Sequence, residues 1–165
     1  KIEKMIHVMK YLSKNYYFDL YLMPTDQKYL NKLISLSKQF ENVRIFPPIK
    51  YNEIVKTLNN YDIGIYLLEP KNLNQLLALP NKFFEFIQAR LLIAIGPSLE
   101  MKKIVNEHNI GIIAPEFDPK KLSEEILSKT YIELTQLKNN TNKVAKVLNA
   151  KINKEKLNNI VESIL

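Results

Sequence analysis

The 165-residue sequence has no cysteine, three glycines, two histidines and two arginines, and each shortage closes a class of chemistry. Without cysteine there is no disulfide, no thiolate metal ligand and no Cys–His nucleophile. Gly64, Gly96 and Gly111 stand too far apart for a dinucleotide G-x-G-x-x-G fingerprint or a P-loop. His7 falls in the middle of a helical pattern and His108 at the end of another, where a cation suits the helix dipole. Both read as surface residues, so a serine triad lacks its base. No Asp/Glu/His cluster has metal-ligand spacing, and no metal is expected. No apolar run reaches the ~18 residues that span a bilayer, and no signal-peptide pattern opens the chain.

What the chain does carry is ordinary for a soluble globular domain: 46% hydrophobic and 25% charged residues. Its length suits one domain with a sizeable core. The net charge is +7, from 24 Lys plus Arg against 17 Asp plus Glu, which favours anionic partners. The lysines are scattered, as in "KIEKMIHVMKYLSK", and the only arginines are Arg44 and Arg90. Nucleic-acid surfaces lean more heavily on arginine, so the charge reads as a solvated surface and no nucleic acid is expected. Cytoplasm is the simplest location for a chain of this composition.

Helix and strand patterns alternate through the first two thirds. "KIEKMIHVMKYLSKN" carries a helical stripe at Ile2, Met5, Ile6, Met9 and Leu12. "YYFDLYLM" suits a buried strand, and "DQKYLNKLISLSKQF" a helix with Leu30, Leu33, Ile34 and Leu36 inward. "NVRIFPP" is a strand stopped by prolines, and "YNEIVKTLNNY" a short helix with Asn52 as its cap. Then follow the strand "DIGIYLL", a helix over 81–90, the strand "LLIAI", the helix "SLEMKKIVNEHN" and the strand "IGIIA". From about Asp118 onward the pattern is helical. Such alternation implies an α/β fold: a Rossmann-like, doubly wound parallel sheet with C-terminal helices. Ligands of such sheets bind at the carboxyl ends of the strands, here the loops "FPPIK", "LLEPKNLNQLLALPNK" and "GPS". Because the pattern opens inside a helix rather than on a strand, the chain is expected to be part of a longer protein.

One helix stands out. On a wheel of residues 81–90, Phe83, Phe84, Phe86, Ile87 and Ala89 surround most of the circumference. Asn81, Glu85 and Gln88 share a narrow polar stripe, with Lys82 at its margin. A solvated face explains that stripe. So does a ligand: the helix start offers free N–H groups to phosphate, Lys82 adds a charge, and a carboxylate one turn along can accept hydrogen bonds from ribose hydroxyls.

The segment "LPNKFFEFIQARLLIAI" resembles the "PNKLFEYMAAGKPVV" stretch of bacterial glycosyltransferases with the GT-B fold. Upstream, "NVRIFPPIKYNEIVKTLNNYDIGIYLL" is similar to their "NVxFLGxVPxxELPxLYxxADIGLxP". Downstream, "EMKKIVNEHNIGIIAPEFDPKKLSEEILSK" is similar to "ExxxLVxExxxGxxVxPxDxxxLAxAIxxL". Three departures stand out: Leu77 replaces a second glutamate, Arg90 a glycine and Leu92 a proline.

The resemblance, to the group 1 or capsular polysaccharide type, implies the second half of a GT-B enzyme. Residues 1–130 would be a nucleotide-sugar-binding Rossmann-like domain and 131–165 C-terminal helices packed on it, while the N-terminal acceptor domain and any catalytic residue would lie outside this chain. It implies ribose binding by Glu85, diphosphate near Asn81, Lys82, Gly96 and Ser98, and a nucleobase near Pro48 and Ile49. The donor would be a UDP-, GDP- or CMP-linked sugar, a substrate rather than a cofactor, and no cofactor is expected. The lysine-rich surface would suit a cytoplasmic enzyme docking on the inner, anionic face of a membrane. A nucleotide-sugar epimerase of the same fold and a non-catalytic Rossmann-like protein-interaction module are the alternatives.

Overall fold

The computed structural model describes residues 2–149 together with residues 152, 154, 158, 159, 161 and 162. Its elements run α1 (Glu3–Val8), β1 (Phe18–Tyr21), α2 (Gln27–Ser37), β2 (Val43–Phe46), a 3-10 turn (Tyr51–Glu53), α3 (Ile54–Leu58), β3 (Ile63–Tyr66), α4 (Leu73–Leu76), α5 (Asn81–Gln88), β4 (Leu92–Ile95), α6 (Leu99–His108), β5 (Gly111–Ile113), α7 (Pro119–Leu127) and α8 (Tyr131–Val144). All strand pairs are parallel, as the alternation requires. They form two sheets, β1-β2 and β3-β4-β5.

β4 shows how the layers are built. All four of its residues are buried. Leu92 and Ala94 point into one cluster with Met5 and Val8 of α1 and Leu122 and Ile126 of α7. Ile93 and Ile95 point into another, with Phe83 and Ile87 of α5, Met101 and Val105 of α6 and Val144 of α8. Successive side chains of a strand face opposite ways, so a strand covered by helices on both sides reads as a continuous apolar run. Here that run is "LLIAI". A third cluster, Ile6, Met9, Leu20, Leu33 and Val43, packs α1 and α2 on the β1-β2 sheet.

Several boundaries differ from expectation for local reasons. α1 stops at Val8 because Lys10 and Tyr11 donate to the carbonyls three residues back, His7 at 3.1 Å and Val8 at 3.1 Å, and close the helix as a tight turn. Asn52 caps nothing: it lies inside the 3-10 turn, and Glu53 occupies the cap of α3. The expected loop over 68–80 contains the one-turn helix α4, capped by the Asn72 side chain, which accepts from the Gln75 amide at 2.9 Å. The C-terminal helices begin on strong signals. Asp118 caps α7 ahead of Pro119, and Thr130 with Glu133 forms a capping box on α8. Of the helical stretch expected to run on to 165, most residues from 150 lie outside the described residues.

Candidate functional site

Every strand ends in a proline within a few residues of its carboxyl end: Pro24, Pro47, Pro70, Pro97 and Pro115. Proline cannot continue a ladder, so the five chains turn outward into loops along that edge. Lys4, at the start of α1, reaches the same edge. Its Nζ donates to Glu69 Oε2 at 2.8 Å and to the Phe117 carbonyl at 2.7 Å, fastening loops that follow β3 and β5.

α5 opens on this edge. Pro80 occupies its N-cap and has no side chain to offer, so the first turn is uncapped except for the 2.9 Å bond from the Phe83 amide to the Pro80 carbonyl. Phe83 and Ile87 are fully buried and hold the helix on the sheet. Phe86 lies against Gly64 of β3, where a Cβ would sit 2.5 Å from the ring, so the helix can approach this closely only because residue 64 has no side chain. Asn81 and Lys82 are exposed and Glu85 is half-buried. Among the described residues, the Glu85 carboxylate makes no hydrogen bond and no ion pair, while its backbone carbonyl accepts from the Ala89 amide at 2.9 Å.

The polar stripe is not one uniform surface. Gln88, at its far end, donates to the carbonyls of Ala145 at 3.2 Å and Leu148 at 2.8 Å, binding α5 to the chain that leaves α8. Its role is structural. Asn81, Lys82 and Glu85 are left at the open end, one turn from the uncapped amides.

The second loop behaves differently. The Gly96 amide donates to the Tyr66 carbonyl at 3.3 Å, and the Ser98 amide to the Gly96 carbonyl at 2.8 Å. Both amides are engaged within the fold. Gly96 is buried under the ring of Phe117, which a Cβ would strike. Ser98 is buried and its side chain does not cap α6, so the start of α6 is uncapped. Pro48 is exposed and Ile49 half-buried, both beyond the carboxyl end of β2, a strand of the sheet that does not contain β4. The structure thus gathers Asn81, Lys82 and Glu85 on one turn, sets Gly96 and Ser98 at the end of β4, and leaves Pro48 and Ile49 on the other sheet.

Arg90, in place of a glycine, adopts φ 65, the left-handed conformation that glycine takes without strain. Its guanidinium bonds the Gln88 carbonyl and, at 3.0 Å, Asn142 Oδ1, anchoring the turn between α5 and β4 to α8.

A polar cluster between the two sheets went unread in the sequence. Arg44 grips Asp19 through two bonds of 2.8 Å, across paired positions of β1 and β2. Tyr61 donates to Asp19 Oδ2 at 2.7 Å, so the hydroxyl of Tyr21, 2.8 Å from Tyr61, must be the donor in that contact. Burial, reinforced by the bond Tyr61 donates to the Asp19 carboxylate and by that charge, pushes the Tyr61 phenol far above its usual range. The signal was present: an aspartate inside "YYFDLYLM" and an arginine inside "VRIF" are charges in two strands. Among the described residues no group of three or more His, Cys, Asp or Glu is placed to hold a metal, and no helix is long and apolar enough to cross a membrane.

No protein-family model matches the chain, and no curated protein resembles it at a significant level. Among solved structures it matches the crystal structure of WaaG, a glycosyltransferase involved in lipopolysaccharide biosynthesis, with a TM-score of 0.62 and 13% identity. The fold is GT-B-like. The match covers 90% of this chain and 40% of that one, so the chain spans less than half the length of WaaG. At that identity the likeness is one of architecture, the parallel Rossmann-like layer with flanking helices expected from the strand and helix order, of the GT-B type that the motif resemblance implied.

Proposed function

We propose that this chain is the donor-binding domain of a glycosyltransferase that moves a sugar from a nucleotide-sugar to a polysaccharide or lipid-linked acceptor. The observation that carries the reading is Glu85: a half-buried carboxylate without a protein partner among the described residues, one turn inside an uncapped helix start, on the carboxyl edge of a GT-B-like sheet. Its oxygens accept the two ribose hydroxyls. The amides of Asn81 and Lys82, with the Lys82 ammonium, meet the diphosphate, where helix dipole and point charge act together. As the donor breaks down, negative charge grows on the leaving diphosphate, and donors fixed in place before the reaction stabilise it. Gly96 and Ser98 shape the adjoining loop, while the free amides of that region are those of the α6 start. Pro48 and Ile49 are the proposed nucleobase side. The acceptor and its chemistry belong to a second, N-terminal domain, and the lysine-rich surface holds the assembled enzyme at the anionic, cytoplasmic face of a membrane. Liposome binding at low salt that disappears at high salt is the expected behaviour there.

The test is an NMR titration of the chain with UDP, GDP and CMP, repeated on Glu85→Ala. Shifts confined to 81–88 and to the first turn of α6, weakened about tenfold or more in the variant, are expected, since a lost hydrogen bond to a charged acceptor is worth roughly 1.5–3 kcal/mol. The nucleotide that binds most tightly names the donor base. Equal affinity of Glu85→Ala and the parent would remove Glu85 from the site.

A further inference from the structure

A cation stands where a helix dipole disfavours one. Lys4 is in the first turn of α1, beside Glu3, whose charge suits a helix start as a lysine does not. Its ammonium is not left to solvent. The side chain is 29% exposed, and Nζ donates to Glu69 Oε2 at 2.8 Å and to the Phe117 carbonyl at 2.7 Å. Two of the three ammonium hydrogens are spent on protein acceptors, so this lysine is placed to hold chain rather than to grip a ligand.

Glu69 follows β3 and Phe117 follows β5, the strands on either side of β4. Strands two places apart in a sheet are separated by about 10 Å, so one ammonium bonded to both loops bridges the end of β4. Beneath the bridge lies the loop of β4 itself. Leu92 and Ala94 face the α1 side of the sheet, and Gly96 faces the same way by alternation. The Phe117 ring fills the place that a side chain on Gly96 would take. The Gly96 carbonyl accepts from the Ser98 amide at 2.8 Å, and Ser98 is the N-cap of α6. Contacts therefore run without a break from Lys4 through Phe117 and Gly96 to the uncapped start of α6. The other arm, through Glu69, holds the root of the segment that leads by α4 to the uncapped start of α5.

We propose that Lys4 is a positioning residue of this crevice: its ammonium sets the loops after β3, β4 and β5, and so holds the starts of α5 and α6 in place before a ligand arrives. Donors fixed in advance bind an anion without the cost of ordering their loops, and the difference appears as affinity. That the ligand is a nucleotide rests on the donor-binding reading above. That Lys4 sets the loops does not.

Two variants test it. Lys4→Met keeps the aliphatic stem and removes both bonds, while Lys4→Arg keeps the charge and the donors. Hydrogen exchange followed by NMR reports on the loops without any ligand. In Lys4→Met the Gly96 and Ser98 amides are expected to exchange about tenfold faster. Ile93, whose amide donates to the Ile110 carbonyl at 3.0 Å inside the sheet, keeps its protection. Titration with UDP, GDP and CMP should show the Kd of the nucleotide that binds rising about threefold or more. Lys4→Arg should return both readouts most of the way. Unchanged exchange at Gly96 and Ser98 overturns the proposal. Equal loosening of Ile93, which would make Lys4 a residue of general stability, overturns it too. The same holds for loops that arginine does not restore, and for loosened loops with unchanged affinity. If the parent chain binds none of the three nucleotides, the donor-binding reading fails, and the exchange pattern alone decides whether Lys4 sets the loops.

Discussion

The two sheets are made of the same element, a four-residue parallel strand, and are stabilised in different ways. β4 has every side chain buried and a helical layer on each face. Of the apolar residues of β1 only Leu20 is fully buried, and the strand's other face carries Asp19 and Tyr21, met by Arg44, Phe46 and Tyr61 rather than by a greasy helix. One half rests on apolar burial, which is insensitive to salt and to acid. The other rests partly on hydrogen-bonded and ionic groups whose contribution depends on all partners being present. A sheet can therefore be uniform in backbone and uneven in what holds it.

Cutting into the buried half should cost most. Ile93→Ala removes a side chain with no exposure at the centre of β4 and is expected to destabilise by about 2–5 kcal/mol. Ile45→Ala, at a half-buried place in β2, should cost about 1 kcal/mol, because the transfer loss is partial and water can fill the gap. Urea unfolding of the two variants checks this. Equal losses would mean that the two halves are equally dry and that the contrast is false.

The next effect is in the polar half. Asp19 keeps 3% of its side chain exposed while Arg44 keeps 57%, so the pair is buried at one end only. Arg44→Ala leaves a buried carboxylate with Tyr61 as its one remaining side-chain donor among the described residues, and a loss of about 1–2 kcal/mol is expected. Asp19→Asn in the same background should restore part of it, since the amide needs no counter-charge. No recovery in the double variant would show that Arg44 acts through its stacking on Tyr17 and Phe46 instead.

The same contrast explains what could be read in advance. "LLIAI" and the greasy wheel of 81–90 announce themselves, because burial on both faces leaves a one-residue record in the sequence: everything is apolar. The layer order, the helices and the exposed placement of Asn81 and Lys82 followed from it. Asp19 and Arg44 were invisible as partners because their meeting depends on register between strands about 25 residues apart, which periodicity does not encode. The engaged amides of Gly96 and Ser98 were equally hidden. A glycine-proline-serine loop looks like an anion cradle, and only the direction of each N–H shows that these two are used within the fold.

The smallest expected effect is acid sensitivity of the β1-β2 half. Glu3 of α1 accepts from Lys32 at 2.8 Å and from Tyr29 at 2.8 Å, both on α2. Burial alone would raise its pKa, but the hydrogen bonds from Lys32, the backbone and Tyr29 outweigh it and hold the carboxyl down at about 2. A depressed carboxylate contributes stability above its unfolded pKa, near 4.5, and loses it as pH falls toward 2. Between those values α1 should loosen from α2, while in the β3-β4-β5 half the carboxyl held down is Glu133, in the exposed capping box of α8 rather than between two helices. The size is modest, about 1 kcal/mol or less, because the Lys32 side chain is 66% exposed and solvent screens the pair. Exchange rates read between pH 5 and 2, after correction for intrinsic acid catalysis, should rise for Leu20 before Ala94, and Glu3→Gln should abolish that difference. If Leu20 and Ala94 loosen together in both proteins, the halves unfold as one unit and α1, which packs Met5 and Val8 with Ala94 and Ile6 and Met9 with Leu20, is what couples them.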